Sequence, residues 1–366
     1  AGLEGLASVS ENLTIEQNAS LTSLAGLEGL ASVGSDLTIG KNSFLTSLSS
    51  LEGLTSVGES LKIEQNPSLT SLDGLDGLSH IGGNFYIGSN NALVNLSGLE
   101  WLTDMEGGIA IYHNSNLTTL SGLNNLTSIG GGLTLKTNSS LTSLDGLEKL
   151  KTMGGKLSIE KNHDLTNLAG LENLTFVGNL EIIFNMGLKS LDGLDQLTSI
   201  GGQLKILNND SLYSLLSLDN DSMTIGGLYI GLNDMLSSCE AATICNFLAM
   251  PDAEASIEDN APGCNSMEEV RESCGIWPGV EQLPGDKQRS SVIIYPNPAT
   301  HTISLLTESG IHVKSLKIVD MQGKVLVYQE IVDDQLTLHT GSFPAGFYIV
   351  RVITNQGVAV QKLVIQ

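Results

Sequence analysis

The fold is decided by a stretch that recurs along two thirds of the chain, and its copy at residues 42–66 reads NSFLTSLSSLEGLTSVGESLKIEQN. Its recurring apolar residues come at steps of three, then one step of four and one of two: Leu45, Leu48, Leu51, Leu54, Val57, Leu61 and Ile63. Each copy closes on an asparagine, at Asn18, Asn42, Asn66, Asn90, Asn114, Asn138, Asn162, Asn185, Asn209 and Asn233. The interval is 24 residues, except for the 23 residues that precede Asn185. A period of this length indicates a stacked repeat architecture.

Glycine pairs and the steps of three argue against helices. An amphipathic helix needs apolar steps of three and four, and pairs such as Gly82-Gly83 and Gly107-Gly108 would destabilise it. Short strands joined by tight bends remain, and stacked coils would pair their backbones at roughly 4.8 Å. We therefore predict an all-β fold, a parallel β-solenoid of about ten 24-residue coils over residues 1–238.

The recurring asparagines are predicted to be structural. An asparagine at a bend tolerates a left-handed backbone, and its amide can bond the main chain of the adjacent coil. Because they all occupy the same inward-turning position, a ligand-binding role is disfavoured.

A second column is acidic and lies ten residues after each asparagine. It comprises Glu28, Glu52, Asp76, Glu100, Glu148, Glu172, Asp195 and Asp219, with Asn124 in one coil and Glu4 before the first. Stacked carboxylates repel one another by about 1 kcal/mol even in water. Two interpretations stay open: each carboxylate accepts a nearby backbone N–H, or the column is a ladder that recruits Ca²⁺ or a basic ligand.

Residues 239–274 hold all four cysteines and are predicted to cap the solenoid. Residues 241–250 and a segment from Ser266 read as short helices, and Ile257 to Asn260 resembles one more coil turn. Cys239, Cys245, Cys264 and Cys274 allow three disulfide connectivities. Bridges between the two halves of the cap are favoured, since six helical residues rise about 9 Å, beyond disulfide reach. A four-cysteine zinc site is the weaker alternative, because the cap lacks a Cys-x-x-Cys pair.

Composition excludes several functions. The net charge of −23 disfavours nucleic acid and anionic membranes, and no apolar run is long enough to span a bilayer. The six histidines form no His-Glu-x-x-His motif, and neither a Gly-x-Ser-x-Gly elbow nor a phosphate-binding loop occurs. We predict a protein that is not an enzyme and has no cofactor apart from the Ca²⁺ hypothesis. The alternatives are a hydrolase whose site forms only on folding and a structural or ice-binding rod with Thr-Ser columns.

The C-terminal part differs in character. Residues 275–291 lack apolar periodicity and read as a linker, whereas residues 292–366 alternate as strands do and predict a small antiparallel Ig-like sandwich.

Two family resemblances add to this interpretation. The motif from Leu141 to Ile159 resembles the receptor L-domain, a relative of leucine-rich repeats, across residues 1–238. That resemblance implies a right-handed, capped solenoid that presents one face to a partner.

Residues 292–366 resemble the type A C-terminal sorting domain of the type IX secretion system of Bacteroidota. The motif residues are Tyr295, Pro296, Asn297, Pro298, Asp320, Gly323, Gly346, Tyr348 and Lys362. The resemblance implies export through the periplasm and outer membrane, with a shuttle and attachment machinery as partners and a secreted or cell-surface location. The solenoid would then bind an unknown protein or glycan, with Trp101, Tyr86 and Tyr112 as candidate contacts.

Overall fold

The computed structural model describes residues 3–276, 292–307, 310–320, 324–330, 337–355 and 358–366. The chain divides into two compact units, Ala1–Trp277 and Pro278–Gln366. Most of the predicted linker, residues 277–291, lies outside the described residues.

The first unit is a parallel β-solenoid in which every coil contributes one longer strand to a continuous column. These strands are Leu13–Glu16, Leu37–Gly40, Leu61–Glu64, Phe85–Gly88, Ile109–Tyr112, Leu133–Lys136, Lys156–Glu160, Asn179–Ile183, Ser199–Leu207, Thr224–Asn233 and Ala255–Asn260. Each pairs in parallel with the strand one coil away, so that Ile63, Ile87 and Ile111 are direct neighbours. The predicted solenoid is confirmed, and it has eleven coils, because the Ile257 to Asn260 turn continues the column inside the cap.

Two-residue strands form a second column on another side of each coil: Ser8–Val9, Ser32–Val33, Ser56–Val57, His80–Ile81, Asp104–Met105, Ser128–Ile129, Thr152–Met153 and Phe176–Val177. In the next two coils this column merges with the longer strands. The missing residue before Asn185 is absorbed at the turn, where Gly178 N–H donates to Gly155 and Lys156 pairs with Asn179.

The interior is a set of leucine, isoleucine and valine columns. Within one coil, Leu117, Leu120, Leu123, Leu126 and Leu133 are fully buried. Phe85 is the largest fully buried side chain of this core. The low aromatic content follows, since stacked branched aliphatics fill the space between parallel coils without rings.

The asparagines form a buried ladder between coils. Asn138 Oδ1 accepts from Asn114 N–H at 3.1 Å, and Asn138 Nδ2 donates to the Ile111 carbonyl at 2.9 Å. The same exchange runs from Asn42 to Asn260, and Asn18 is exposed at its start.

The expectation that the asparagine itself adopts the left-handed backbone is wrong, because the residue before it does so. Eleven such residues, among them Lys41, His113 and Leu232, have φ between 54° and 59°. A left-handed non-glycine residue costs about 1–2 kcal/mol. This bend turns the next side chain inward, and the asparagine hydrogen bonds offset the cost.

A second bend depends on glycine in most coils. Gly122 has φ 116°, and a Cβ there would lie 2.0 Å from the Leu96 carbonyl oxygen, so no other residue fits. Serine replaces this glycine at Ser50 and Ser217, and both coils form a short 3₁₀ turn instead, Ser49–Leu51 and Leu216–Leu218.

The cap contains two helices, Ala242–Leu248 and Met267–Ser273, with disulfides Cys239–Cys264 and Cys245–Cys274. Both bridges join the two halves of the cap, which is the favoured connectivity. Ser266 caps its helix by accepting from Glu269 N–H, but the Glu269 carboxylate accepts from Gly263 and Asn265 rather than closing a capping box.

The described residues of the second unit form two antiparallel sheets around one core. The first sheet has strands Val292–Tyr295, Thr302–Thr307 and Thr337–His339, and the second has Val313–Asp320, Val325–Glu330, Gly346–Thr354 and Val358–Ile365. Val292, Leu316, Val350 and Leu363 are buried between them. The predicted sandwich is confirmed.

Candidate binding face

The outward side of the longer strands, with the residues that flank each strand, is here named the strand face. Its inward neighbours hardly vary, since Leu133, Leu157 and Leu180 follow one another in register. Its outward positions do vary. One column reads Thr38, Lys62, Tyr86, Ala110, Thr134, Ser158, Glu181, Lys205, Tyr229. Since the core does not constrain these side chains, they are where a partner-specific surface can be encoded.

Positive charge is concentrated on the strand face. Six of the nine lysines of residues 1–238 lie there: Lys41, Lys62, Lys136, Lys156, Lys161 and Lys205. Five ion pairs join residues of this face, including Lys136–Glu160 at 2.8 Å and Lys156–Glu181 at 2.7 Å. Exposed pairs of this kind contribute about 0–1 kcal/mol each, so their main effect is to set the local potential close to neutral in an acidic protein.

Tyr112 lies across the middle of the strand face. A Cβ on Gly88, one coil away, would lie 2.3 Å from the Tyr112 ring, so the ring rests directly over that glycine. The hydroxyl reaches a second coil and donates to the Glu64 carboxylate. One side of the ring therefore contacts the sheet, while the residue keeps intermediate exposure.

Two shallow depressions on the strand face are lined by residues close to Tyr112 in the chain, Ala110 in one and His113 in the other. One, of ≈ 310 Å³, is lined by Gly108, Ala110, Gly132, Tyr86 and Lys156, among others. Asn84, Gly108 and Gly132 occupy the same position in three successive coils, and Asn84 Oδ1 accepts from Gly108 N–H at 2.7 Å. The depression is open because the two glycines have no side chains to fill it.

The other depression, of ≈ 470 Å³, is lined by polar residues of the adjoining turns: Ser89, Asn91, His113, Ser115, Thr137 and Ser139. The rings of His113 and Tyr112 meet edge to face, with centroids 6.1 Å apart. Sequence reasoning singled out Tyr86 and Tyr112 but missed both depressions. The sequence signal that could have indicated them is the occurrence of glycine and tyrosine at neighbouring outward positions of adjacent coils.

Two titrating groups on this face are shifted. Burial and the hydrogen bond to Glu64 raise the pKa of Tyr112 well above its usual range. The Ser60 N–H and then the Lys62 ammonium lower the pKa of Asp36. Tyr112 therefore stays a neutral donor, and Asp36 stays an anion, throughout the ordinary pH range.

The acidic column lies on another side, and its carboxylates accept main-chain hydrogen bonds. Glu28, Asp76, Glu100, Glu148, Glu172 and Asp195 each accept from the glycine two residues earlier, at 2.8–3.3 Å. The Gly26 N–H is the main cause of the lowered pKa of Glu28. Glu52 follows Ser50 rather than glycine, and Asp219 accepts from Ala242 N–H at the start of the first cap helix. Within the described residues, no group of three or more His, Cys, Asp or Glu side chains is placed to hold a metal ion.

The remaining candidate positions are separate from the strand face. Trp101 is 68% exposed, and the residues at the same position of the coils before and after it are Gly77 and Asn125. The threonine hydroxyls point along the axis, as Thr142 donates to the Thr118 carbonyl and Thr127 to that of Thr103. Tyr213 takes the place of threonine in the column of Thr118 and Thr142, and it is 52% exposed.

The sorting-motif residues lie in the second unit, and several hold its ends together. Asn297 donates to the Lys362 carbonyl and accepts from Val364 N–H, which ties the first motif to the last strand. Tyr348 donates to the Pro344 carbonyl at 2.7 Å. Lys362 lies 4.0 Å from the ring centre of Phe347.

The positions of the other motif residues say less about how the second unit is held together. The Asp320 carboxylate accepts from Lys324 N–H, and Gly323 lies outside the described residues. Tyr295 ends the first strand, Pro296 and Pro298 flank Asn297, and Gly346 begins a strand.

Comparison with known families identifies the second unit. Residues 293–366 match the family described as secretion system C-terminal sorting domain. Comparison with curated proteins gives no match for the chain. Among the described residues, no helix has the length and apolar character needed to cross a bilayer. The sorting domain indicates type IX secretion, contact with its machinery, and a cell-surface or secreted location.

Proposed function

We propose that this chain is an exported binding protein whose solenoid presents the strand face to a partner outside the cell, and that it is not an enzyme. The observation that carries the proposal is the contrast within each longer strand: inward positions repeat, whereas outward positions differ from coil to coil. A purely structural rod would have no need for that variation.

Two further observations support the proposal. The resemblance of residues 1–238 to the receptor L-domain implies a solenoid that displays one face to a partner, and the sorting domain brings that face to the exterior. The threonine hydroxyls of the competing ice-binding interpretation donate to carbonyls of adjacent coils. They are therefore less able to order a water lattice.

The experiment compares two faces of the intact chain. The protein and its variants are immobilised and probed with a panel of purified surface glycans and extracellular proteins. We expect Tyr86→Ala combined with Lys205→Ala, on the strand face, to reduce capture, and Trp101→Ala, on a different side, to leave it unchanged. If Trp101→Ala loses capture while the Tyr86→Ala, Lys205→Ala double variant retains it, the strand face is refuted as the binding surface.

A further inference from the structure

We propose that the centre of the strand face, around Tyr112, is a carbohydrate subsite for a neutral, hydroxyl-rich oligosaccharide. This inference rests on the proposed function and deepens it, because it names the ligand class and the residues that contact it. It is carried by one ring that lies flat over a glycine and contacts His113, together with two depressions of different chemistry that are lined by His113 and by Ala110 of the Tyr112 strand.

The first step is the platform. Gly88 lacks a side chain, so the Tyr112 ring lies against the sheet, and the bond to Glu64 holds the ring by its hydroxyl. An aromatic ring whose orientation is fixed before binding loses little entropy when a ligand stacks on it. The face of such a ring carries partial negative charge and attracts the C–H groups of a pyranose.

The second step is the supply of polar groups beside the platform. The larger depression is lined by four hydroxyl residues, Ser89, Ser115, Thr137 and Ser139. A hydroxyl can both donate and accept, and that of Ser139 already donates to the Ser115 carbonyl at 3.4 Å. Sugar hydroxyls do the same, so a surface of small hydroxyl side chains matches them better than it matches an apolar peptide. Tyr86 lines the smaller depression and offers a second ring one coil away.

The third step concerns charge. An acidic sugar would need a cation with no other partner, but the lysines bordering the centre are each paired with a glutamate, Lys136 with Glu160 and Lys156 with Glu181. The chain as a whole carries a charge of −23, which repels polyanions. The observations therefore favour a neutral saccharide.

The fourth step distinguishes a saccharide ligand from a protein partner. Two exposed apolar residues of the strand face that a protein interface could use, Phe184 and Leu232, lie further along the solenoid and are 37% and 47% exposed. Specific protein interfaces bury about 800 Å² on each partner around an apolar core. The Tyr112 region offers two small depressions instead, one lined by polar residues and one of mixed lining.

The test measures binding of neutral hexasaccharides, cellohexaose, xylohexaose, mannohexaose and maltohexaose, to the full chain by calorimetry and saturation-transfer NMR. We expect at least one to bind, and Tyr112→Ala to weaken its affinity by about tenfold. Tyr112→Phe, which keeps the ring, should retain most of the affinity. Gly88→Ala, which keeps the tyrosine but forces it off the sheet, should weaken binding as Tyr112→Ala does.

Matched controls use the same strand position in other coils. Tyr86 and Tyr229 occupy the same outward column, in the fourth and tenth coils, so Tyr86→Ala should reduce affinity and Tyr229→Ala should not. Circular dichroism and thermal melting verify that each variant is folded. Failure of every hexasaccharide to bind, or affinity unchanged by both Tyr112→Ala and Gly88→Ala, would overturn the inference.

A third outcome distinguishes this failure from failure of the proposed function. If the chain captures a purified protein through Phe184 and Leu232, so that Phe184→Ser abolishes capture and Tyr112→Ala does not, the saccharide subsite is refuted. In that case the strand face remains the binding surface.

Discussion

Removing one asparagine from the middle of the ladder tests the physical basis of the fold. Asn138 is fully buried, and Asn138→Ala deletes the acceptor for Asn114 N–H and the donor to the Ile111 carbonyl. Each stranded main-chain group costs about 1–3 kcal/mol, so the variant should lose about 2–6 kcal/mol of local stability. That loss is a large part of the 5–15 kcal/mol typical of a whole domain.

The first coil provides a matched control. Asn18 is exposed, and its amide donates only to the Glu16 carbonyl two residues away. Asn18→Ala leaves no buried group without a partner and should cost about 0.5 kcal/mol or less.

The assay must resolve single coils, because stacked repeats need not unfold as one unit. Hydrogen exchange of the full chain reports the opening free energy at Asn114, and denaturant unfolding followed by circular dichroism reports the global effect. Equal losses for Asn138→Ala and Asn18→Ala, or a loss below about 1 kcal/mol for Asn138→Ala, would refute the ladder as the source of stability.

Three further predictions concern the cap, the acidic column and pH. Replacing Cys245 and Cys274 together by alanine should lower stability by about 2–4 kcal/mol, measured by thermal melting with and without reductant; an unchanged melting temperature in the wild type under reductant would contradict this. Millimolar Ca²⁺ should leave the melting temperature unchanged, since the carboxylates already accept glycine N–H groups; a rise of several degrees would revive the cation ladder. Because the pKa of Tyr112 is raised on folding, its contribution is present below about pH 10 and is lost as the pH rises further. Tyr112→Phe should therefore flatten the alkaline loss of stability, and identical alkaline unfolding curves would count against the Glu64 bond.

The sequence predicted the coil register, the eleventh turn and the cap because each depends on a local pattern. Leucine spacing and a recurring asparagine leave one way to stack, and the cysteines lie within one short segment. The left-handed residue was misassigned because Lys41, His113 and Leu232 share no chemistry that marks a bend. Only the geometry needed to turn the asparagine inward fixes that position.

The binding face was less predictable for a different reason. Tyr112 and Glu64 are 48 residues apart, and their contact depends on a glycine in the coil between them. No periodicity in the repeat marks such a triple, because it is a departure from the repeat. From residue type alone, Trp101 was as good a candidate contact as Tyr86 and Tyr112. Only the fold shows that it lies on a different side of the solenoid.

The same separation explains how a repetitive chain can carry a specific site. The inward columns and the asparagine ladder hold each coil in register whatever its outward residues are, so changes on the strand face leave the interior packing intact. Tyr112 spans three coils, from Ile109–Tyr112 across Phe85–Gly88 to Leu61–Glu64. Its position is therefore set by the stacking itself, and any slip of one coil against the next would remove the glycine from beneath the ring. The recognition surface proposed here thus depends on the ladder, since the hydrogen bonds that fix the register also fix the platform.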